Sequence, residues 1–372
     1  MGVFKDLVEP GALYLTLAAG VLINRHVPRR RSPSDDASDA GTPPLRGQVY
    51  LGKRQSSVIP DNTIFRNNLI SRVLLYFPFL LEVFYWHLTY WPYQLARALS
   101  VSLIRNSPTA YVLAEHHALS LLNLERILHI DIEASFQHFL LTRLPWSMHL
   151  LAIVYHSHII LGVIFLVYAY TFFPRPAFQR IRRTLAIDNW IAFTVLTLWR
   201  CAPPRLLPTE YGYLDVLHPK RMREQQAELA EVVEGAVEST GSVWTNNSHQ
   251  LTIAAMPSLH FGTSLLIGYS LLRHSPHRLV RLLAPLWPLA MLITIVGTAN
   301  HFVLDAVVGA MVVALGWRMN ELMLSFRPME EWMFWALRTE RPKTAEKRAW
   351  EATERNSYRK DELEVIKEDM DV

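Results

Sequence analysis

The chain has 372 residues, of which 51% are hydrophobic and only 19% are charged, and this excludes an ordinary soluble protein. Its net charge of +4 would suit a nucleic-acid partner, but the basic residues lie in short clusters between apolar runs. That distribution is the positive-inside pattern of a multi-pass membrane protein, so we expect no nucleic-acid partner. A single cysteine excludes an internal disulfide.

The N-terminal part predicts an anchor followed by a linker. Residues 11–24 are an apolar run shorter than the ~20 residues of a full crossing, and arginines follow them at once, so we interpret residues 1–24 as a membrane anchor. A cleaved signal peptide is the alternative, although its basic residues would precede the apolar run. Residues 25–68 are rich in Ser, Asp, Pro, Gly and Arg and predict a disordered cytoplasmic linker.

Residues 69–325 predict the membrane domain, and residues 326–372 a charged cytoplasmic tail. With the anchor, the apolar runs give an all-α polytopic membrane helix bundle of six to seven spans. Between the second and third spans, residues 96–145 predict amphipathic helices on the membrane surface, in which Glu125 and Glu133 cap helices or pair with neighbouring arginines. The predicted spans after the anchor are 69–95, 146–173, 185–199, 256–272, 282–299 and 301–323.

Two polar clusters stand at the mouths of apolar spans. Pro257 suits the first turn of a helix, which would leave Ser258 and His260 beside free N–H groups that bind anions. His301 and Asp305 are four residues apart on the next predicted helix but one, so the carboxylate can accept the imidazole N–H. Either cluster alone is more often an ordinary cap or a satisfied pair. Because two intervening helices bring both to one membrane face, we predict that the histidines meet over a bound phosphate.

Charge predicts the orientation. If the linker is cytoplasmic, strict alternation places the basic clusters at 175–183 and 273–281 on the same side. It places both polar clusters, Arg205 and the glycosylation sequon at Asn246 on the opposite side, which is the lumen of the Golgi or endoplasmic reticulum.

The two polar clusters resemble the second and third signature motifs of the type 2 phosphatidic acid phosphatase superfamily, in the membrane branch that includes fungal inositol phosphorylceramide synthases. The stretch from Arg200 to Pro208 resembles the first motif, and residues 124–133 resemble a segment of the inositolphosphotransferase-like subgroup. The resemblance covers roughly Leu119 to Leu315 and implies a six-helix core.

The chain also departs from the family pattern. The lysine that usually precedes the arginine of the first motif is missing, and residues 294–298, where an arginine usually precedes the third-motif histidine, read Thr-Ile-Val-Gly-Thr. Leu259 stands in place of the glycine of the phosphatase form. These differences bring the chain nearer to the synthase-like subgroup.

The resemblance implies phosphoryl transfer through a phosphohistidine. His301 would attack phosphorus, Asp305 would orient the imidazole, and His260 would protonate the departing lipid oxygen. No metal or other cofactor is implied, because arginines and a helix terminus can supply the positive charge. The residues implied to hold the phosphate oxygens are Arg205, Ser258 and Arg200.

Three functions remain open at this point. The first is transfer of a phospho-headgroup such as phosphoinositol from a phospholipid donor to ceramide or another lipid acceptor. The second is hydrolysis of a lipid phosphate or an isoprenoid diphosphate, and the third is a non-catalytic membrane protein of the same fold. A di-iron site of the desaturase type is disfavoured, because pairs such as His156 and His158 point away from each other on a helix.

Overall fold

The computed structural model describes residues 2–26, 60–104, 107–218 and 252–342. This part of the chain is helical, with one isolated bridge between Cys201 and Ala254 and no β-strand, which confirms the predicted all-α class. It divides into two compact units, one comprising residues 1–23 and 82–325 and the other residues 24–81 and 326–372.

In chain order, the described α-helices are α1 (Gly2–Ile23), α2 (Leu69–Tyr76), α3 (Phe79–Ile104), α4 (Pro108–Leu128), α5 (Glu133–Arg143), α6 (Pro145–Phe172), α7 (Arg175–Leu198), α8 (Leu259–His274), α9 (Arg278–Leu283), α10 (Leu286–Gly297), α11 (Val303–Met319) and α12 (Arg327–Ala336).

The described helices make the chain a multi-pass membrane protein. Three stretches are long and apolar enough to cross a bilayer: Pro145–Phe172, Arg278–Gly297 and Val303–Ala336. The broken pair α2 and α3 gives a fourth if it is counted as one span. Two other predicted spans are helices that fall short by this measure, since α8 has only 16 residues and α7 begins with the charged turns at Arg175.

The second predicted span, 69–95, differs from the structure. It is interrupted at Phe77 and Pro78, and α3 then continues to Ile104. Proline has no N–H to continue the helical ladder and disfavours helical backbone in the residue before it, which explains the break.

Within the first unit, basic residues gather at one end of the bundle and the predicted site lies at the other. The Tyr168 hydroxyl near the end of α6 bonds the Ser275 hydroxyl just after α8, at 2.6 Å. Thirteen residues earlier on α6, Tyr155 stacks on His260 in the first turn of α8. The two helices therefore run parallel to each other, and the cluster at 273–281 is separated from His260 by the length of α8.

Backbone hydrogen bonds join the three motif-bearing segments to one another. The Ala255 N–H donates to the Cys201 carbonyl at 2.9 Å, which links the segment before α8 to the segment after α7. The Arg205 N–H donates to Ala299 O at 3.0 Å, and the Ser258 N–H to Asp305 O at 3.0 Å. These bonds fix the relative positions of the segments before any side chain is considered.

Two glycines let α8 and α11 approach closely. A Cβ atom built on Gly309 of α11 would collide with the carbonyl oxygen of Ser258, and one on Gly262 of α8 would lie 2.8 Å from the Gly309 carbonyl oxygen. The N-termini of the two helices can therefore meet only because both positions lack a side chain.

The described residues of the second unit are 24–26, 60–81 and 326–342. The Asn62 side-chain amide donates to Glu331 O at 3.0 Å, and Arg66 pairs with Glu340 at 3.2 Å. Asn62–Phe65 form a 3-10 helix within the segment predicted as linker, whereas residues 27–59 of that segment and residues 343–372 of the tail lie outside the described residues.

The glycine contact can be tested by adding one methyl group. Gly309→Ala should destabilise the protein by about 1–3 kcal/mol, because the helices must separate to make room. Gly162→Ala on α6 is the matched control, since a Cβ there meets nothing within 4 Å and alanine favours a helix. The thermal unfolding midpoints of the purified proteins in detergent measure both changes. Equal midpoints for the two variants would contradict the close approach.

Candidate active site

The first predicted site helix, α8, begins with a buried cap. The Ser258 hydroxyl accepts the N–H of Phe261 at 3.4 Å, and the helix begins at Leu259. Pro257 therefore precedes the cap, and the prediction that it occupies the first turn is wrong. Within the described residues, the N–H groups of Leu259 and His260 have no hydrogen-bond partner. This helix end thus remains open to an anion.

His301 lies just before α11 with its side chain almost fully buried. Its Nδ1 is 2.7 Å from the carbonyl oxygen of Ala255 and 3.5 Å from Oδ2 of Asp305. Because a carbonyl oxygen can only accept a hydrogen bond, we assign the proton to Nδ1, which leaves the lone pair on Nε2. The arrangement gives His301 one defined tautomer with a nucleophilic nitrogen.

Asp305 has two tasks rather than the one predicted. The sequence predicts a helix from Phe302 with His301 and Asp305 stacked on one face, but α11 begins at Val303 and His301 lies outside it. Asp305 is the third helical residue, and its Oδ2 accepts the Phe302 N–H at 2.9 Å. A carboxylate at this position satisfies a free N–H of the first turn, so Asp305 serves the helix as well as the imidazole.

His260 faces His301 as predicted, with 5.6 Å between the ring centroids. Two side chains of α6 hold it: Tyr155 stacks on its ring at 4.6 Å, and His158 meets it edge-on at 4.4 Å. His158 is itself fixed, because its Nδ1 donates to the Tyr155 carbonyl at 2.6 Å. The two histidines of the predicted site are therefore neighbours, each with its ring orientation determined by the fold.

Two glutamate side chains, one from α4 and one from α5, accept backbone N–H groups at the N-terminus of α11. Oε1 of Glu133 accepts the Val303 N–H at 2.9 Å, and Oε1 of Glu125 accepts the Leu304 N–H at 2.7 Å. Both side chains are fully buried. Together with Asp305, they take up three successive N–H groups, so this helix end is occupied by the protein's own carboxyl groups. The sequence predicts capping or arginine pairing for these glutamates, and the structure shows capping.

The glutamate pair shares a proton. Burial, together with the charge of the neighbouring Glu133, raises the pKa of Glu125 to about 9. Burial also raises the pKa of Glu133, although its bond from the Val303 N–H opposes the shift. Two buried carboxyl groups that contact each other cannot both be ionised without strong repulsion. One protonated and one ionised carboxyl group therefore fits the pair at neutral pH.

Arg205 is held by partners that the sequence analysis did not identify. Its Nε donates to Asn300 at 2.8 Å, and its Nη1 donates to Asp215 at 2.9 Å. His218 donates to the other oxygen of Asp215 at 2.8 Å. Burial opposes ionisation of Asp215, but the hydrogen bond from His218 and the charge of Arg205 outweigh it, so the pKa of Asp215 lies below its ordinary value. The spacing of Asp215 and His218, three residues apart, was the signal available in the sequence.

Arg200 lies in a different environment from Arg205. Its Nη2 is 3.5 Å from the Ser100 hydroxyl on α3, and its carbonyl accepts a bond from Nδ1 of His117 at 2.7 Å. His117 stacks on Trp199 with centroids 4.0 Å apart. None of the contacts described for Arg200 joins it to His260, His301 or the Arg205 network.

Two further predictions concern the glycosylation site and metals. Asn246 lies outside the described residues. Within the described ranges, no three His, Cys, Asp or Glu side chains form a group that could hold a metal ion.

The described helices form an all-α membrane fold in which two histidines face each other. A model of the PAP2 superfamily matches residues 119–319, which is more than half of the chain, and the chain belongs to that superfamily. No curated protein and no solved structure gives a significant match. The matched range contains every residue predicted for phosphate chemistry.

The glutamate pair predicts a pH dependence of stability. Because folding raises the pKa of Glu125 from 4.5 to about 9, the folded state gains most at low pH and loses this contribution as pH rises through that range. Glu125→Gln keeps an acceptor for the Leu304 N–H and a donor toward Glu133 but cannot ionise. Unfolding midpoints measured from pH 5 to 9 should therefore fall less steeply for Glu125→Gln than for the unmodified chain.

Glu115→Gln on the same helix is the matched control, since Glu115 has no described contact with α11. Parallel pH profiles for the unmodified chain and Glu125→Gln would contradict the shared proton.

Proposed function

We propose that this PAP2-superfamily protein is a lipid phosphotransferase that forms a phosphohistidine at His301. The observation that best supports this proposal is that the imidazoles of His260 and His301 face each other beside the open N-terminus of α8, with 5.6 Å between their ring centroids. His260 and His301 can contact one phosphoryl group from opposite sides. The fixed Nδ1 proton of His301 directs its Nε2 lone pair toward the reaction.

The first step forms one bond and breaks another. Nε2 of His301 attacks phosphorus, the P–O bond to the donor lipid breaks, and His260 gives its proton to the departing lipid oxygen. In the second step the hydroxyl oxygen of an acceptor lipid attacks phosphorus, the P–N bond breaks, and His260 takes the hydroxyl proton. The Asp305 carboxylate stabilises the positive charge that His301 carries in the intermediate.

Phosphate binding in this proposal uses backbone and side-chain donors together. The N–H groups at the start of α8 would donate hydrogen bonds to the phosphate oxygens, and the Ser258 side chain caps that helix end. Arg205, oriented by Asp215 and Asn300, and Arg200 provide the guanidinium groups.

Transfer is proposed over hydrolysis on two grounds. Leu259 replaces the glycine of the phosphatase form, and the subgroup-like segment 124–133 contributes Glu125 and Glu133, which contact the helix beside His301. We therefore propose a phospholipid donor and a ceramide or other lipid-alcohol acceptor, as in inositol phosphorylceramide synthases. Hydrolysis of a lipid phosphate is the alternative outcome of the test.

The proposed setting is a Golgi or endoplasmic reticulum membrane. The site end of the bundle lies opposite the basic cluster at 273–281, and the positive-inside pattern would place that cluster in the cytoplasm. The site and the Asn246 sequon would then face the lumen.

The test uses purified protein in vesicles with a panel of headgroup-labelled phospholipids, with and without ceramide. Transfer predicts labelled ceramide product, whereas hydrolysis predicts water-soluble label that is independent of ceramide. His301→Ala should lower turnover by several orders of magnitude. Asp305→Asn should be milder, because an amide oxygen can still accept the Phe302 N–H while the charge is lost.

His116→Ala is the matched control, since His116 is exposed on α4 and should leave turnover unchanged. Near-normal turnover by His301→Ala would refute the covalent mechanism, whichever lipid is used.

A further inference from the structure

Phosphoryl transfer places several negative charges in the site, and the described cations only partly offset them. Arg205 forms an ion pair with Asp215 at 2.9 Å, so the carboxylate neutralises much of its charge. The proposed reaction therefore needs positive charge from elsewhere in the fold.

Arg97 on α3 lies on a helix face that points into the protein. Tyr93 and Ser100, four residues before it and three after it, share this face and are buried. One turn further on, Ile104 packs in the apolar cluster that contains Ala255 and Phe302, the residues that flank the two site motifs. The face that carries Arg97 thus leads toward the site.

The guanidinium of Arg97 has few hydrogen-bond acceptors among the described residues. Its Nη1 is 3.5 Å from Gln94 Oε1, a long contact, and its carbon lies 5.7 Å from the Tyr93 ring centroid. Its Nε is buried and has no hydrogen-bond partner among the described residues.

Arg200 approaches the same face of α3. Its Nη2 is 3.5 Å from the hydroxyl of Ser100, which follows Arg97 by one helical turn. Its Nη1 is buried and, within the described ranges, has no hydrogen-bond partner. The His117 bond to its carbonyl fixes the backbone from which this side chain extends.

Two arginines therefore converge on one helix face, each with a buried N–H that has no described acceptor. A buried charged donor without an acceptor is costly, and an arginine within a membrane helix is rare unless it serves a function.

We propose that Arg97 and Arg200 form a two-arginine subsite that binds the phosphate group of the lipid substrate. This inference rests on the proposed function and deepens it, since the subsite supplies positive charge in addition to that of Arg205, which is paired with Asp215. Guanidinium groups bind phosphate oxygens through paired hydrogen bonds, which matches the open donors on both side chains.

Equilibrium binding of inorganic phosphate to the purified full-length protein tests the subsite directly. Arg97→Gln should weaken phosphate affinity by at least about tenfold, because a charge-assisted hydrogen bond is lost. Arg97→Lys keeps the charge but not the planar fork, and should weaken it by a smaller factor. Arg175→Gln is the matched control: Arg175 also lies against a tyrosine, 3.8 Å from the Tyr170 ring, and should leave phosphate affinity unchanged.

Combination with His301→Ala separates this inference from the proposed function. Phosphate binding needs no nucleophile, so Arg97→Gln should weaken it equally in the His301→Ala background, even if no lipid turnover is found. If His301 is required for turnover but Arg97→Gln binds phosphate and turns over lipid normally, the subsite is refuted and the transferase proposal stands.

Unfolding midpoints show whether each variant is folded. If Arg97→Gln does not fold, Arg97→Lys decides alone, and unchanged phosphate affinity in that folded variant overturns the proposal.

Discussion

The structure of the site depends on the close approach of two helix N-termini. Gly309 of α11 packs directly against the backbone of Ser258, and the Ser258 N–H donates to the Asp305 carbonyl at 3.0 Å. The Ala255 carbonyl, three residues before Ser258, holds Nδ1 of His301. These backbone contacts together set the spacing of the two motif segments, the tautomer of His301 and its distance from His260. A larger side chain at the glycine contact would disturb all three at once.

The two helix ends that meet there have opposite chemical roles. At α11, Asp305, Glu133 and Glu125 accept three successive N–H groups, so the end is filled by carboxyl groups and serves to position His301. At α8, the N–H groups of the first residues after Ser258 have no described acceptor. A positive helix end that is already neutralised gives rigidity, whereas an open one attracts an anion. This division leaves one helix end open for the proposed phosphate in a site that contains three buried carboxyl groups.

The sequence predicted the parts of this site that depend on spacing along the chain. The histidines, Asp305 and Ser258 lie in short motifs at the mouths of apolar runs, and a helical hairpin between the motifs requires them to meet. The helix boundaries were less predictable, because the Ser258 cap and the Asp305 bond to the Phe302 N–H decide where α8 and α11 begin.

Contacts between distant helices could not be predicted from the sequence. In the sequence, Glu125 and Glu133 are two polar residues on an amphipathic stretch. Nothing in the sequence indicates that they cap a helix that begins about 170 residues later. Arg97 lies at the start of the predicted amphipathic stretch 96–145. The sequence does not show that its helix face is buried and continues into the apolar cluster that contains Ala255 and Phe302.

The most direct test of the account is to trap the covalent intermediate. Vesicles containing phosphatidylinositol labelled at phosphorus are mixed with the protein and quenched in alkali, which preserves phosphohistidine, and the labelled peptide is identified by mass spectrometry. The account predicts label on His301, and its loss when His301 is replaced by alanine. Label on His260 instead, or headgroup transfer by a protein that never becomes labelled, would contradict it.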